Sequence, residues 1–507
     1  MNFDQVMGTA PEVPKKLTPT DEQQAILDFA NETKDNLLIN ALAGAAKTST
    51  LVMLADYKRM AQTQILCLAF NKKIADEMRQ RLPSNCTSMT LNSLGHRVWG
   101  QSLGRRLSRP NTKKNYTILR NLIDGERKDL KEKLFENFAY LLKTMQFAKA
   151  CGYVPEACER QCNSLMTDME FFADIDEPLE PYEEDLIKRA LLISIEDSYE
   201  AEIDFDDQIY MSTLFPCSFP SFPVTMIDEA QDLSSLNHCM LRKLVQNRRL
   251  IAVGDPCQAI YGFRGAHEDS MRLLQQEFAM EEMLLSISFR CPKAIVKEAQ
   301  WRAPHMQYPD WASDGTIVRK ERWSVDDLPA DAVIICRNNA PLFAQAIRLL
   351  SDGRYPELIG NDIGKSLLKE LKKLGPPELT AEEVREKIDH YETLRLSRNR
   401  DKGKVKDFCA CLRIFARHGD TLRDIMGYAE YLCNVSGPIK MMTGHKSKGL
   451  EFPNVFILDK HLLRLQEGSQ DRNLLYVMQT RAQSVLTYIE SELYVPQNLE
   501  TELEEEV

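Results

Sequence analysis

Short apolar runs, each followed by a turn and then a helical pattern, recur along the chain. "NLLIN" (36–40) precedes a small-residue loop, and "QILCLAF" (64–70) precedes the amphipathic "NKKIADEMRQRL". "PVTMIDEAQD" (223–232), "RLIAVGD" (249–255), "DAVIICR" (331–337), "NVFILD" (454–459) and "VLTYIE" (485–490) follow. Apolar strands that alternate with helices predict α/β units built on parallel sheets with helices on both faces. Ligands in such folds sit at the carboxyl ends of the strands. Residues 97–200 and 366–436 lack this rhythm, are mostly helical in pattern and are rich in charge, so they read as insertions into two α/β units. The expected organisation is 1–96 with 201–280 as the first unit and 97–200 as its insertion. The second unit is 281–365 with 437–495, its insertion is 366–436, and an acidic tail, 496–507, closes the chain.

Length and composition narrow the class. A chain of 507 residues exceeds one ordinary domain. Its 43% hydrophobic and 27% charged residues fit a globular protein and not a disordered or fibrous one. No apolar run reaches the roughly 18 residues of a membrane span. The first residues lack the basic-then-apolar order of a signal peptide. The expectation is therefore an intracellular protein of the cytoplasm, or of the nucleus or a phage-infected cytoplasm, without a membrane partner. The 13 cysteines form no framework and read as reduced thiols. Cys151, Cys158 and Cys162 cluster, but a zinc or iron–sulfur site needs a fourth ligand at metal spacing, and none lies nearby.

The net charge of −11 argues against a protein coated in nucleic acid but allows a local basic groove. Residues 101–120 carry Arg105, Arg106, Arg109, Lys113, Lys114 and Arg120 with no acid. Residues 395–406 carry Arg395, Arg398, Arg400, Lys402, Lys404 and Lys406 against Asp401. Taken alone, each run reads as a solvated face.

The loop after the first strand reads "ALAGAAKTST" (41–50). Its end has the Lys-Thr of a phosphate-binding loop, G-x-x-x-x-G-K-S/T, yet Ala41 and Ala46 stand at both glycine positions. Lys47 follows a strand and opens a helix, the context such a loop requires. The N–H groups of residues 44–49 (Gly44, Ala45, Ala46, Lys47, Thr48 and Ser49) would cradle phosphate. Lys47 would neutralise the terminal phosphates, and Thr48 would hold Mg²⁺. Gly44 supplies the tightest turn. Alanine at 46 would be strained by about 1–2 kcal/mol if its φ were positive. Because it immediately precedes Lys47, a helical or near-helical φ is expected. "TMIDEAQD" places Asp228 and Glu229 at the end of an apolar strand, where a nucleotide enzyme needs one carboxylate for Mg²⁺ and one to polarise water.

Here the chain resembles a family. "DEAQD", "VGDPCQAIYGFRGA" (253–266), "ISFRCP" (287–292), "TGHKSKGLEF" (443–452) and "NLLYVMQTRA" (473–482) occur in the order seen in UvrD/Rep-type superfamily 1 DNA helicases. "LTPTDEQQAIL" (17–27), "LAFNKKIADEM" (68–78) and "TLNSLGHRVW" (90–99) complete the set, which covers nearly the whole chain. "GFRGA" with "SLGHR" is similar to compact phage-type and F-box DNA helicase members. The resemblance implies two RecA-like motor domains, each interrupted by an inserted helical subdomain, with ATP and Mg²⁺ clamped between them.

It also implies residue roles. Gln23 would read the adenine edge, Phe289 would stack on adenine, and Glu451 would accept from the ribose. Without the family, Gln23 reads as a solvated helix-start residue and Phe289 as core. Glu229 would polarise water, Gln258 would sense the γ-phosphate, and Arg290 and Arg481 would reach that phosphate from the second domain. DNA contacts would come from Phe70, Asn71, Asn92, Tyr261, Phe263, Arg264, His445 and Lys446.

Three departures stand out. Asn92 replaces the histidine usual in "TxHS", Met478-Gln479 is unusual before "TRA", and the second insertion is much shorter than in UvrD itself. The implied activity is ATP-driven 3′-to-5′ translocation on single-stranded DNA with strand separation at single/double-strand junctions. It would serve replication, repair or recombination, act as a monomeric motor, and partner a single-strand binding protein or recombinase. Two alternatives stay open. One is a translocase that strips proteins from single strands and unwinds poorly; the other is a slow ATP-gated DNA-binding module. RNA unwinding is a weaker third.

Overall fold

Each run predicted as a strand lies in the interior of a parallel sheet or beside its edge. The computed structural model describes residues 18–496 except 176, 247, 261–268, 361 and 399–401. The first sheet contains β1 (Leu37–Ala41), β2 (Ile65–Ala69), β3 (Cys86–Thr90), β4 (Val224–Ile227), β5 (Arg249–Gly254) and β6 (Glu281–Leu285). Its order is β3-β2-β4-β5-β1-β6, parallel throughout. The second contains β7 (Thr316–Arg319), β8 (Ala332–Cys336), β9 (Pro356–Leu358), β10 (Ile439–Thr443), β11 (Phe452–Leu458) and β12 (Ala482–Ile489). Its order is β7-β12-β11-β8-β10-β9, also parallel. β1, β2, β4, β5 and β8 are buried along nearly their whole length, as continuous apolar strands covered on both faces must be.

The expected boundary at residue 280 is corrected: β6 pairs with β1 in register Leu37↔Glu281 and belongs to the first sheet. Its exposed Glu281, Glu282 and Leu284 mark it as an edge strand.

The insertion at 97–200 is helical and packs with the flanking helices Leu91–Ser102 and Asp207–Leu214. At its centre lies a buried ionic cluster. Lys149 is fully buried, its Nζ 2.6 Å from Asp204 and 2.6 Å from Asp207. Lys114 sits 2.7 Å from Asp207 and also donates to Ser194 O and Ser198 Oγ. This corrects Lys114's place in the basic run of 101–120, since only 2% of it is exposed. The second insertion is a layer and not a free-standing body. Helices Asp362–Lys373, Ala381–Arg398, Lys402–Phe415 and Leu422–Asn434 bury Leu367, Ile388, Leu412 and Phe415 in one core with Ile334 and Phe456 of the second sheet. An ion pair, Arg395 to Glu177 at 3.1 Å, joins this layer to the first insertion.

Candidate active site

β1, β5 and β4 lie side by side, so the loops at their carboxyl ends converge. Ala41 ends β1 and the chain turns through Gly44 at φ +78°, where a Cβ would stand 2.5 Å from Ser288 Oγ and 2.7 Å from Arg290 Cβ. The Ala45 N–H is turned inward onto Leu42 O, at 3.0 Å. Lys47–Ala55 then forms a helix whose preceding residue, Ala46, has φ 56° and ψ 40°. The expected helical φ at Ala46 is thus corrected: the residue occupies the left-handed region that glycine fills in the usual motif. The physical reason is the reversal itself, which aims the helix N-terminus back over the strand end and needs two left-handed residues, 44 and 46. Glu229 shares the strain at φ 55°.

Thr48 Oγ1 donates to Asp228 Oδ2 at 2.9 Å, and Lys47 Nζ lies 3.8 Å from Glu229. Asp228 is 2% exposed, so it is no surface acid. Burial, then the neighbouring Glu229, pushes its carboxyl up to about 6, against Lys47 and Thr48. Burial would raise Glu229 too, but Lys47 and Lys448 hold it down to about 2. Two adjacent carboxyls thus differ in their hold on a proton. Thr48 and Asp228 offer the hard oxygen donors that suit Mg²⁺. Lys47 and the helix N-terminus suit phosphate.

Gln23 is 3% exposed, which removes the solvated reading. It forms a capping box with Thr20 and donates to Thr50 Oγ1 at 3.0 Å. Phe289 is 40% exposed, which removes the core reading, and its N–H donates to Gly44 O at 3.0 Å. Gln258 donates to Asp255 Oδ2 at 2.7 Å. Arg290 lies against Glu451, Nε to Oε1 2.6 Å, and Gln483 donates to the other oxygen of Glu451. Arg481 is buried and donates to Val477 O and Leu450 O; burial, then Arg290, lowers it to about 10. Ser49 Oγ accepts from Arg81 at 2.8 Å.

Several residues here have no role assigned from the sequence, although Lys448 and Tyr476 lie inside the motifs "TGHKSKGLEF" and "NLLYVMQTRA". Lys448 reaches from the second unit to Asp232, 2.6 and 2.8 Å, and to Gln258 O, 2.8 Å. Burial raises Asp232 to about 6 against the pull of Lys448. The Tyr476 hydroxyl accepts from Ala43 N at 2.9 Å and donates to Asp255 Oδ2 at 3.3 Å. Leu42, Ala43, Cys257 and Ile260 share an apolar cluster with Met306 and Met478, and the unusual Met478 packs against Gly444, where an added Cβ would stand 2.8 Å from its Sδ.

A second region is a cavity of about 1300 Å³ between the first unit and its insertion. Phe70, Phe205, Arg79, Arg105, Arg106 and Arg109 line it. Phe70 and Phe205 are 37% and 60% exposed. Asn92 donates to Phe205 O at 3.2 Å, bracing the segment that carries this ring. Asn71 lines the cavity and caps the helix Lys72–Arg81 through Ile74 N. His445 and Lys446 lie on the short helix Gly444–Ser447 after β10. Tyr261, Phe263 and Arg264 lie outside the described residues. Among the described residues, no group of three or more His, Cys, Asp or Glu is arranged to hold a metal ion, and no helix is long and apolar enough to cross a membrane.

Comparison with known proteins gives residues 20–279 as a match to the UvrD/REP helicase N-terminal domain and residues 438–487 to the UvrD-like helicase C-terminal domain. The chain is 25% identical to F-box DNA helicase 1 of Gallus gallus over 517 aligned positions, covering 93% of this chain and 49% of the relative. It is 25% identical to F-box DNA helicase protein 1 of Schizosaccharomyces pombe, covering 65% and 39%. It is 25% identical to the ATP-dependent DNA helicase PcrA of Staphylococcus epidermidis, covering 53% and 38%. The chain thus spans half the length or less of these relatives.

Proposed function

This chain belongs to the UvrD/REP helicase family, and from that premise we propose that it is an ATP-hydrolysing, Mg²⁺-dependent motor that moves 3′ to 5′ along single-stranded DNA and separates strands at junctions. The observation that carries this reading is the joint placement of Lys47, Thr48, Asp228 and Glu229 at one cleft, with Arg290, Lys448 and Arg481 contributed by the second unit. In the proposed cycle, Thr48 and Asp228 hold Mg²⁺, and Lys47 and the loop N–H groups bind phosphate. Glu229, kept ionised by its cationic neighbours, polarises the attacking water. Arg290 and Arg481 add positive charge to the transition state from across the cleft. Gln258 and Lys448 join the phosphate site to the second unit. Phe70, Phe205 and the arginines of the cavity suit bases and phosphates without sequence preference.

Duplexes carrying a 3′ or a 5′ single-stranded tail test the reading. ATP-dependent displacement with the 3′ tail and none with the 5′ tail is the expected result; the reverse preference would contradict it. A second reading, protein displacement with poor unwinding, is favoured by the second insertion, which lies as a layer on its own sheet. It predicts ATP-dependent removal of a bound recombinase or single-strand binding protein at a rate well above strand displacement. Either substrate puts the activity wherever DNA is processed inside the cell.

A further inference from the structure

Trp311 is 72% exposed, unusual for a side chain with so large an apolar area. Its ring lies 6.3 Å from Phe289, with the planes 23° apart. The segment that carries it is not a loose loop. Gln307 N donates to Ser286 O and Ser288 N to Gln307 O, both at 2.9 Å. At the far end, Lys293 N donates to Ser313 O at 2.9 Å and Ala294 N to Asp314 O at 2.8 Å. Both ends of the segment are therefore pinned to the stretch bearing Phe289, which holds the indole in register with the phenyl ring. Phe289 is in turn pinned to the phosphate loop through Gly44 O. The two near-parallel rings extend outward from that loop and are left uncovered.

We propose that Trp311 and Phe289 together form the platform on which the purine base of the nucleoside triphosphate stacks, with Trp311 determining the preference for purines over pyrimidines. The inference rests on the nucleotide site proposed above. Near-parallel rings 6.3 Å apart are offset, and a base stacked on Phe289 extends toward the indole, so the longer purine gains a contact with the outer ring that a pyrimidine does not reach. The edge of the base is left to Gln23. Its Oε1 accepts from Thr20 N and its Nε2 donates to Thr50 Oγ1, which leaves one lone pair and one N–H for a partner.

The test uses the full chain, its Trp311→Ala and Trp311→Phe variants, saturating single-stranded DNA, and ATP, GTP and CTP as substrates. Trp311→Ala should raise KM for ATP and GTP about tenfold, within the range of one lost base stack, and leave kcat for both unchanged. KM for CTP should stay near its wild-type value, and Trp311→Phe should restore most of the ATP affinity. ADP binding should quench the tryptophan emission of the wild type, and Trp311→Phe should lose that quenching while the emission of half-exposed Trp301 persists, since Trp99 and Trp323 are buried. Unchanged KM for ATP in Trp311→Ala, or an equal loss for all three nucleotides with lower kcat, overturns the inference while the nucleotide site stands. A wild-type chain that binds no nucleotide overturns the site and the inference together.

Discussion

Ala46 carries a left-handed backbone at the point where the phosphate loop enters its helix. An L-residue there is strained by about 1–2 kcal/mol, and glycine would relieve it. Glycine also loosens the unfolded chain, which costs roughly 0.4–1 kcal/mol. At positive φ the relief of strain outweighs that cost, so Ala46→Gly should stabilise the protein by up to about 1 kcal/mol, a thermal midpoint shift of about 1–3 °C. A lower midpoint would contradict the left-handed conformation. The sequence showed both alanines but pointed to the wrong backbone, because adjacency to a helix does not reveal the reversal that Gly44 and Ala46 share. Asp228 gives a second test at this scale. Its carboxyl is raised to about 6 in the folded chain, against about 3.9 in an unfolded one. The folded state therefore holds the proton more tightly. Its stabilising contribution is complete below about pH 4 and is lost as pH rises through about 6. Without Mg²⁺, Asp228→Asn should gain on the wild type by up to about 3 kcal/mol between those limits and stay level above them. Paired thermal midpoints in chelator, at several pH values, check the sign. A variant that gained as pH fell would refute the assignment.

The inserted helices around Lys149 enclose buried charge beside an apolar core. Lys149 and Lys114 face Asp204 and Asp207 with almost no solvent. Removing one partner leaves a buried uncompensated charge, which costs about 3–5 kcal/mol. Lys149→Ala should therefore make residues 97–200 sensitive to protease at temperatures where the two sheet units still resist. Uniform sensitivity along the chain would show that the insertion does not unfold separately. The same element scale explains what the sequence made legible. The apolar runs marked β1, β2, β4, β5, β8, β11 and β12, which lie inside the sheets or next to an edge. The runs missed β3, β6, β7 and β9, which are the four edges. "CTSMT" and "EEMLL" have one side open to solvent and lack the continuous apolar signal of a strand covered on both faces. β10 was hidden by the lysine in "IKMMT". Lys448, Tyr476 and Phe205 could not be read because their partners lie about 190 residues or more away in the chain, or on a different wall of a cavity.

Across the whole molecule, contacts among the described residues span the cleft onto the phosphate loop, Asp232 and the turn after β5. Phe289 and Tyr476 meet the backbone of Gly44 and Ala43, Lys448 meets Asp232 and Gln258, and Asn473 donates to Ala259 O at 2.9 Å. These contacts link the phosphate loop to the second sheet, and through Arg395 and Glu177 the helical layer of one unit touches the insertion of the other. This wiring suits a motor in which hydrolysis and grip on a strand are coupled. The central claim is that the loop of residues 41–50, despite its two alanines, is the seat of DNA-stimulated ATP hydrolysis. The direct measurement is steady-state ATP hydrolysis by the wild type and by Lys47→Ala, each with and without single-stranded DNA. Hydrolysis that rises severalfold with DNA in the wild type and vanishes in a folded Lys47→Ala is the result the account predicts. Hydrolysis that is indifferent to DNA, or that survives the loss of Lys47, would contradict it.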